Sequence, residues 1–158
     1  MCVPPSIGAG LEAPIAVDKY GLEIEGKLAG FFTSVDGIGS ESEVVTSKSQ
    51  DPDTGETITR KSPGRVTLLD VVLEREVTTN MDLHDWRQLV VAGKIDAARR
   101  NFSIIAYSQT NEELARWSFE SAWPMKISTS PVYDTPDSTT GYMIETVTIT
   151  HEGYERVN

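Results

Sequence analysis

The sequence predicts a mainly β protein with one α-helix, its strands running antiparallel. Three observations carry that reading. Apolar and polar residues alternate with a period of two in several separate stretches, Leu22–Glu25, Val66–Val77 and Tyr142–His151 among them. Turn dipeptides such as Asp36-Gly37 and Asn111-Glu112 fall between such stretches. Only around residues 80–93 do apolar residues recur three and four apart.

Residues 1–17 are rich in Pro, Gly and Ala and read as an extended N-terminal arm ahead of a single domain over 18–158. Leu22, Ile24 and Leu28 alternate with Glu23, Glu25 and Lys27 as one half-exposed strand. Phe31–Val35 forms the next, ended by Asp36-Gly37. Along Gly39–Lys48, Glu41 and Glu43 share one face while Ser40, Ser42 and Val44 share the other. Both faces are polar at its start, which does not suit a strand packed on a core on either side. Gln50-Asp51-Pro52-Asp53-Thr54-Gly55-Glu56 is a turn-rich tip joining Val44–Lys48 to Thr57–Lys61. Pro52 pre-sets a turn φ and Gly55 supplies a positive one, so a projecting hairpin is predicted. Ser62-Pro63-Gly64 then breaks the chain before one long strand, Val66–Val77.

The helix has Thr79 or Asn80 as its cap, Asp82 and Asp85 near its start, and Gly93 as its stop. Leu83, Trp86, Leu89 and Val90 form its apolar stripe. Arg100–Tyr107, Leu114–Glu120 and Tyr142–His151 complete the strands, with Ser128–Gly141 a polar loop.

Composition narrows the function. The 158 residues carry 14 Lys+Arg against 24 Asp+Glu, a formal charge of −10. The excess is even: 7 basic and 13 acidic groups lie in residues 1–79, 7 and 11 in the rest. No basic face emerges for phosphate neutralisation, which argues against a nucleic-acid binder. A lone cysteine, Cys2, allows neither an intramolecular disulfide nor a Cys-based zinc site. Met1–Ala16 shows no basic and apolar run of a secretory signal, and apolar stretches such as Leu89–Ala92 are far short of a membrane span. Assembly in the cytoplasm is the expectation.

Catalytic chemistry finds no foothold. His84 lies between Asp82 and Asp85, but the i,i+4 histidine pair of helical zinc sites is missing; it and His151 read as surface residues. Asp51–Glu56 lacks the ligand spacing and twelfth-position glutamate of a calcium loop. Gly8-Ala9-Gly10 has neither a strand before it nor a helix after it. No catalytic residue, metal ligand or cofactor site is assigned. Trp86, Trp117 and Trp123 read as core and seam packing. A loose arm, a hairpin and two-faced strands suit a subunit completed by contact with its own copies.

Five blocks in order carry a resemblance. They are Phe31–Ile38 with Glu41–Val44; Ser62-Pro63-Gly64, Val71–Glu76 and Leu83-His84-Asp85-Trp86; Arg99–Ile104; Ala115–Lys126, with its Ala-Trp-Pro-Met-Lys; and Ile144–Val147 with His151-Glu152-Gly153. Over roughly residues 20–155 the chain resembles the tail tube proteins of contractile phages and the inner tube proteins of phage-tail-like contractile injection systems. Ser62-Pro63-Gly64-Arg65 and Glu74-Arg75-Glu76 depart from the family's usual pattern.

The resemblance implies β-sandwich or barrel subunits beside one helix, each copy giving four strands to a shared hexameric barrel, with rings stacked into a tube. Twenty-four strands at about 4.8 Å set a circumference near 115 Å and a backbone diameter of roughly 37 Å before tilt. It also implies sheath, baseplate or hub, and cap proteins as partners, and protein effectors or DNA as cargo. Glu41 and Glu43 are the expected bore residues, and Gln50, Asp51, Pro52, Asp53, Thr54, Gly55 and Glu56 the expected contact to the next ring. Other readings are a tube-initiating adaptor between baseplate and tube, and a small-ligand-binding β-barrel.

Overall fold

A computed structural model describes residues 13–133 and 141–158. Among these residues ten strands and two helices follow one another as β1 (Lys19–Ile24), β2 (Lys27–Phe32), β3 (Ser34–Asp36), β4 (Ser40–Gln50), β5 (Thr57–Leu68), β6 (Val71–Glu76), α1 (Asp82–Val91), α2 (Ile95–Ala98), β7 (Arg100–Tyr107), β8 (Glu113–Tyr133), β9 (Gly141–Thr150) and β10 (Gly153–Arg156). Eight strands make the body in the order β2-β1-β7-β8-β9-β6-β3, with β10 added on β8; among the described residues β4 and β5 pair only with each other. Every pairing is antiparallel.

The long strand β8 serves both halves of the body. Its first part pairs with β7 up to Ala122 opposite Arg100, and from Trp123 onward it pairs with β9. Ser121 at the change-over has φ 49°, a left-handed value that bends a strand where a regular ladder would run straight. The sheet therefore turns, and its two end strands meet again in sequence at Thr33, whose N–H and Oγ1 both donate to the Glu74 carbonyl at 3.0 and 3.1 Å. On its own the subunit does not close this ladder into a barrel.

Inward-facing alternate residues of these strands fill the core: Leu22, Phe32, Leu73, Phe102, Ile104, Phe119, Val147 and Ile149, with Leu83 and Trp86 from α1. Phe102 and Phe119, opposite one another in β7 and β8, stack with centroids 4.5 Å apart. The Trp86 indole N–H donates to the Ala98 carbonyl at 2.6 Å, satisfying the polar end of a side chain with no exposed surface. That bond also fastens α1 to α2. The cap position falls on Met81, whose carbonyl accepts from Asp85 N–H, later than the expected Thr79 or Asn80; Asn80 precedes it, its Oδ1 accepting from Asp82 N–H while its Nδ2 donates to the Ala29 carbonyl on β2. At the other end Gly93 N–H reaches Val90 and Lys94 N–H reaches Leu89, with Gly93 at φ 80°. This is the glycine-closed helix end expected.

The structure corrects several expectations. Leu22–Leu28 is two strands turning at Glu25-Gly26, both at positive φ, which leaves Leu28 exposed. Ser62-Pro63-Gly64 lies inside β5 instead of interrupting it. Val66–Val77 is divided at Leu69-Asp70 between hairpin and body. A second helix of one turn, α2, follows the first. The loop expected at Ser128–Gly141 is strand up to Tyr133, paired with β9, which begins at Gly141; residues 134–140 lie outside the described residues, as does most of the N-terminal arm. His151 is no surface residue: its ring is buried against Phe119 and its Nε2 lies 2.9 Å from the Leu69 carbonyl.

Candidate assembly surfaces

The β4–β5 hairpin is the part of the molecule least explained by its own fold. Every residue of β4 is exposed, and ten cross-strand pairs from Ser40↔Leu68 to Gln50↔Thr57 hold the ribbon together. The tip closes by Asp51 N–H to the Glu56 carbonyl and Gly55 N–H to the Asp51 carbonyl, both 2.8 Å. The Asp51 carboxylate accepts from Asp53 N–H, also at 2.8 Å, and Gly55 takes φ 75°. The predicted tip Gln50, Asp51, Pro52, Asp53, Thr54, Gly55 and Glu56 thus stands as one projecting turn.

Register assigns the two faces of this ribbon, since directly opposed residues share a face and neighbours alternate. Thr46 faces Lys61 and Val44 faces Pro63, but Ser42 faces Val66, so β5 carries one extra residue near Gly64. A Cβ on Gly64 would come within 3.0 Å of Val45 Cγ2, which places Gly64 under the Glu43–Val45 side. One face therefore holds Glu41, Glu43, Val45, Ser47, Ile58 and Arg60. The other holds Val44, Val66, Lys48 and Lys61, and no carboxylate. Glu41 and Glu43 do share a face, as the alternation predicted.

Of the tryptophans, Trp86 is buried while Trp117 and Trp123 on β8 are half-buried. Arg156 lies over the Trp117 ring, 5.7 Å from its centroid. Next to it the chain end is clamped. Arg116 reaches Glu23 at 2.9 Å and Glu113 at 2.9 Å, and Asn158 Nδ2 donates to Glu113 at 2.8 Å. Hydrogen bonds from Arg116 and then Asn158 hold the Glu113 carboxyl below its usual range. The bonds to Glu23 and Glu113 raise the Arg116 guanidinium above its own.

One polar group in the body escaped sequence reading. Arg75 and Glu145 sit opposite one another on β6 and β9, both side chains 4% exposed, with Nε 3.0 Å from Oε2. The guanidinium rests on the Phe32 ring at 5.0 Å. It occupies the space left by Gly30, where a Cβ would lie 2.5 Å from Nη1. His84 of α1 completes the set, its Nε2 3.5 Å from Glu145 Oε1. The signal was available: Arg75 continues the inward phase of Val71 and Leu73, and Glu145 that of Val147 and Ile149.

A groove of about 440 Å³ lies between α1 and the β1–β2 turn, lined by Ile24, Glu25, Lys27, Ala29, Asp82, Asp85 and Arg100. Among the described residues no cluster of His, Cys, Asp and Glu could hold a metal ion. No described helix is long and apolar enough to cross a membrane.

The fold recurs in solved structures. A chain of the sheath–tube complex of an extracellular contractile injection system, PVC, in the extended state matches with TM-score 0.66 and 18% identity, over 99% of this chain and 98% of that one. A chain of the anti-feeding prophage baseplate matches at 0.67 and 14% identity, over 93% and 98%. Hcp1 from Flavobacterium johnsoniae matches at 0.56 and 16%, over 89% and 95%. No curated protein sequence matches. The family profile described as T4-like virus tail tube protein gp19 covers residues 18–155, so the chain belongs to the tail tube protein family and is a structural subunit of a tube.

Proposed function

We propose that six copies close into a ring, that each lends strands to one shared barrel, and that rings stack into the inner tube of a contractile injection system. The observation that carries this is the hairpin. A two-stranded ribbon exposed on both faces is at best marginally stable alone, yet this one holds ten pairs and presents Val44 and Val66 at 64% and 63% exposure. A neighbouring copy supplies the missing cover, and closure removes the free strand edges.

Glu41 and Glu43 face the bore in this reading, and an acidic wall repels nucleic acid and acidic protein during passage. The tip Gln50–Glu56 meets the next ring. Sheath, baseplate and cap proteins surround the tube, as the likeness to chains of a sheath–tube complex and a baseplate supports. Assembly takes place in the cytoplasm, the role is mechanical with no catalysis, and the cargo moves within the bore. Six copies at −10 each place −60 on a ring, so tubes should be shorter at about 10 mM salt than at about 300 mM, where the Debye length has fallen below 10 Å.

Negative-stain electron microscopy with light scattering tests this. Six-fold rings and stacked tubes are expected from the intact chain, and rings without tubes after removal of residues 52–55. A concentrated protein that stays monomeric at moderate salt overturns the ring; normal tubes from the deletion overturn the inter-ring contact. Glu41→Lys with Glu43→Lys should leave assembly intact and reverse the exclusion of an anionic gold particle from the bore. Unchanged exclusion removes the two glutamates from the wall.

A further inference from the structure

Within that reading, which this step requires, the structure points to a specific docking pair. We infer that the carboxylate-free face of the β4–β5 hairpin, with Val44, Val66, Lys48 and Lys61, seats in the groove beside α1 of a second copy.

The hairpin face has the composition of an interface, and nothing among the described residues covers it. Val44 and Val66 are diagonal neighbours near its base, and Lys48 and Lys61 are diagonal neighbours further out, about 7–8 Å apart by strand geometry. In a chain with 24 acidic groups to 14 basic ones, a long ribbon face bearing two cations and no carboxylate is a local reversal of sign.

The groove is its counterpart. Its floor is apolar, Ile24 and Ala29; its rim carries Glu25, Asp82 and Asp85 against Lys27 and Arg100. Asp82 and Asp85 are three apart on α1, which sets them about 5–6 Å apart on one side of the helix, a spacing close to that of the two lysines. The ion pairs among the described residues use none of Lys48, Lys61, Glu25, Asp82 and Asp85. The hairpin face therefore brings two unpaired cations and the groove three carboxylates against two cations, a net negative rim, beside apolar side chains: Val44 and Val66 on one, Ile24 and Ala29 on the floor of the other. Because hairpin and groove are different surfaces, the contact is head-to-tail, the arrangement that generates rings.

Two variants test the pair. Lys48→Glu with Lys61→Glu sets an acidic hairpin against the native acidic groove. Glu25→Lys with Asp85→Lys sets the native basic hairpin against a basic groove. Each alone juxtaposes like charges and should lose assembly about tenfold or more, by light scattering at the concentration where the natural chain assembles. Mixed in equal amounts they are complementary at every contact and alternate around a ring, so assembly should return. Circular dichroism and thermal melting check that each variant folds; if the double groove variant does not, Asp85→Lys is mixed with Lys61→Glu instead.

Folded variants that fail alone and stay dissociated when mixed overturn the pairing, as do variants that each assemble like the natural chain. In the second case assembly by copies survives and only this contact is wrong. A natural chain that never assembles sinks the tube ring itself, so the two failures are distinguishable.

Discussion

The body and the hairpin follow different rules, though both are antiparallel β. In the body, β6 and β9 alternate buried and half-exposed residues, and the buried ones meet in one core with α1. In the hairpin, β4 runs eleven residues without a buried one. Stability of the subunit therefore resides in the body, and the hairpin is built for what lies outside it. The lesson is that burial in an isolated subunit separates what folds the chain from what assembles it.

The sharpest way to break this comparison is to damage the body. Trp86→Ala removes a fully buried indole and its bond to Ala98, and such truncations cost about 3–5 kcal/mol. The expected outcome is a large fall in the urea midpoint of the monomer, with α1 and α2 loosened together. A fall of under about 1 kcal/mol, the scale of a surface change, would show that α1 is peripheral to the fold.

The buried Arg75–Glu145 pair sharpens the same point. Glu145→Ala alone leaves a guanidinium buried without its carboxylate, a loss of about 3–5 kcal/mol. Replacing both, as Arg75→Met with Glu145→Leu, should recover most of that, because desolvation of two charges is avoided together with their attraction. A double-mutant cycle in urea reads the coupling. Equal losses from the single and the double substitution would mean that the ions themselves, beyond their mutual compensation, hold β6 to β9.

How much of this could be read from the sequence depends on where the local signal and the tertiary role agree. The helix was legible because its stripe, Asn80 just ahead of its Met81 cap and Gly93 just past its end all bracket the same span. Arg100–Tyr107 was legible because Phe102 and Ile104 keep one phase in a strand facing the core. The divide at Leu69-Asp70 was not, since Leu69, Val71 and Leu73 alternate without a break and no Gly or Pro marks the corner. Ser62-Pro63-Gly64 misled in the opposite way: Pro63 is tolerated in a strand lying outside the main sheet, and Gly64 is needed beside Glu43 and Val45. His151 looked like the exposed end of a strand, but β10 folds back on β8 and encloses it. The hairpin's projection, its tip and its Glu41–Glu43 face were visible as local pattern; the groove was not, because β1, β2 and α1 form it from residues more than fifty positions apart.

On the hairpin the comparison predicts the reverse of the body's behaviour. Val44→Thr with Val66→Thr should leave the unfolding midpoint of the monomer within about 0.5 kcal/mol of the natural chain, the range of surface substitutions. Assembly should suffer, as two apolar side chains are withdrawn from a contact. A destabilised monomer would mean that the ribbon packs on its own body, and the division drawn here would fail.

The smallest effect belongs to the clamp at the chain end, and pH isolates it. Glu113 is held below its usual pKa by Arg116 and Asn158, so it binds its proton less readily folded than unfolded. Its contribution is present above the unfolded value of about 4.3 and is lost as pH falls through the lower folded value. Glu113→Gln lacks that ionisation and should be slightly less stable than the natural chain near neutrality. The gap should close as acidification passes below the unfolded value of about 4.3 and through the lower folded one, where the natural side chain becomes neutral too. Amide NMR of Val157, whose N–H donates to the Arg116 carbonyl at 2.9 Å, follows the clamp directly and should shift with the same midpoint. A gap between the two proteins that stays constant from neutral to acid pH would assign the part Glu113 plays in the clamp to shape and hydrogen bonding alone.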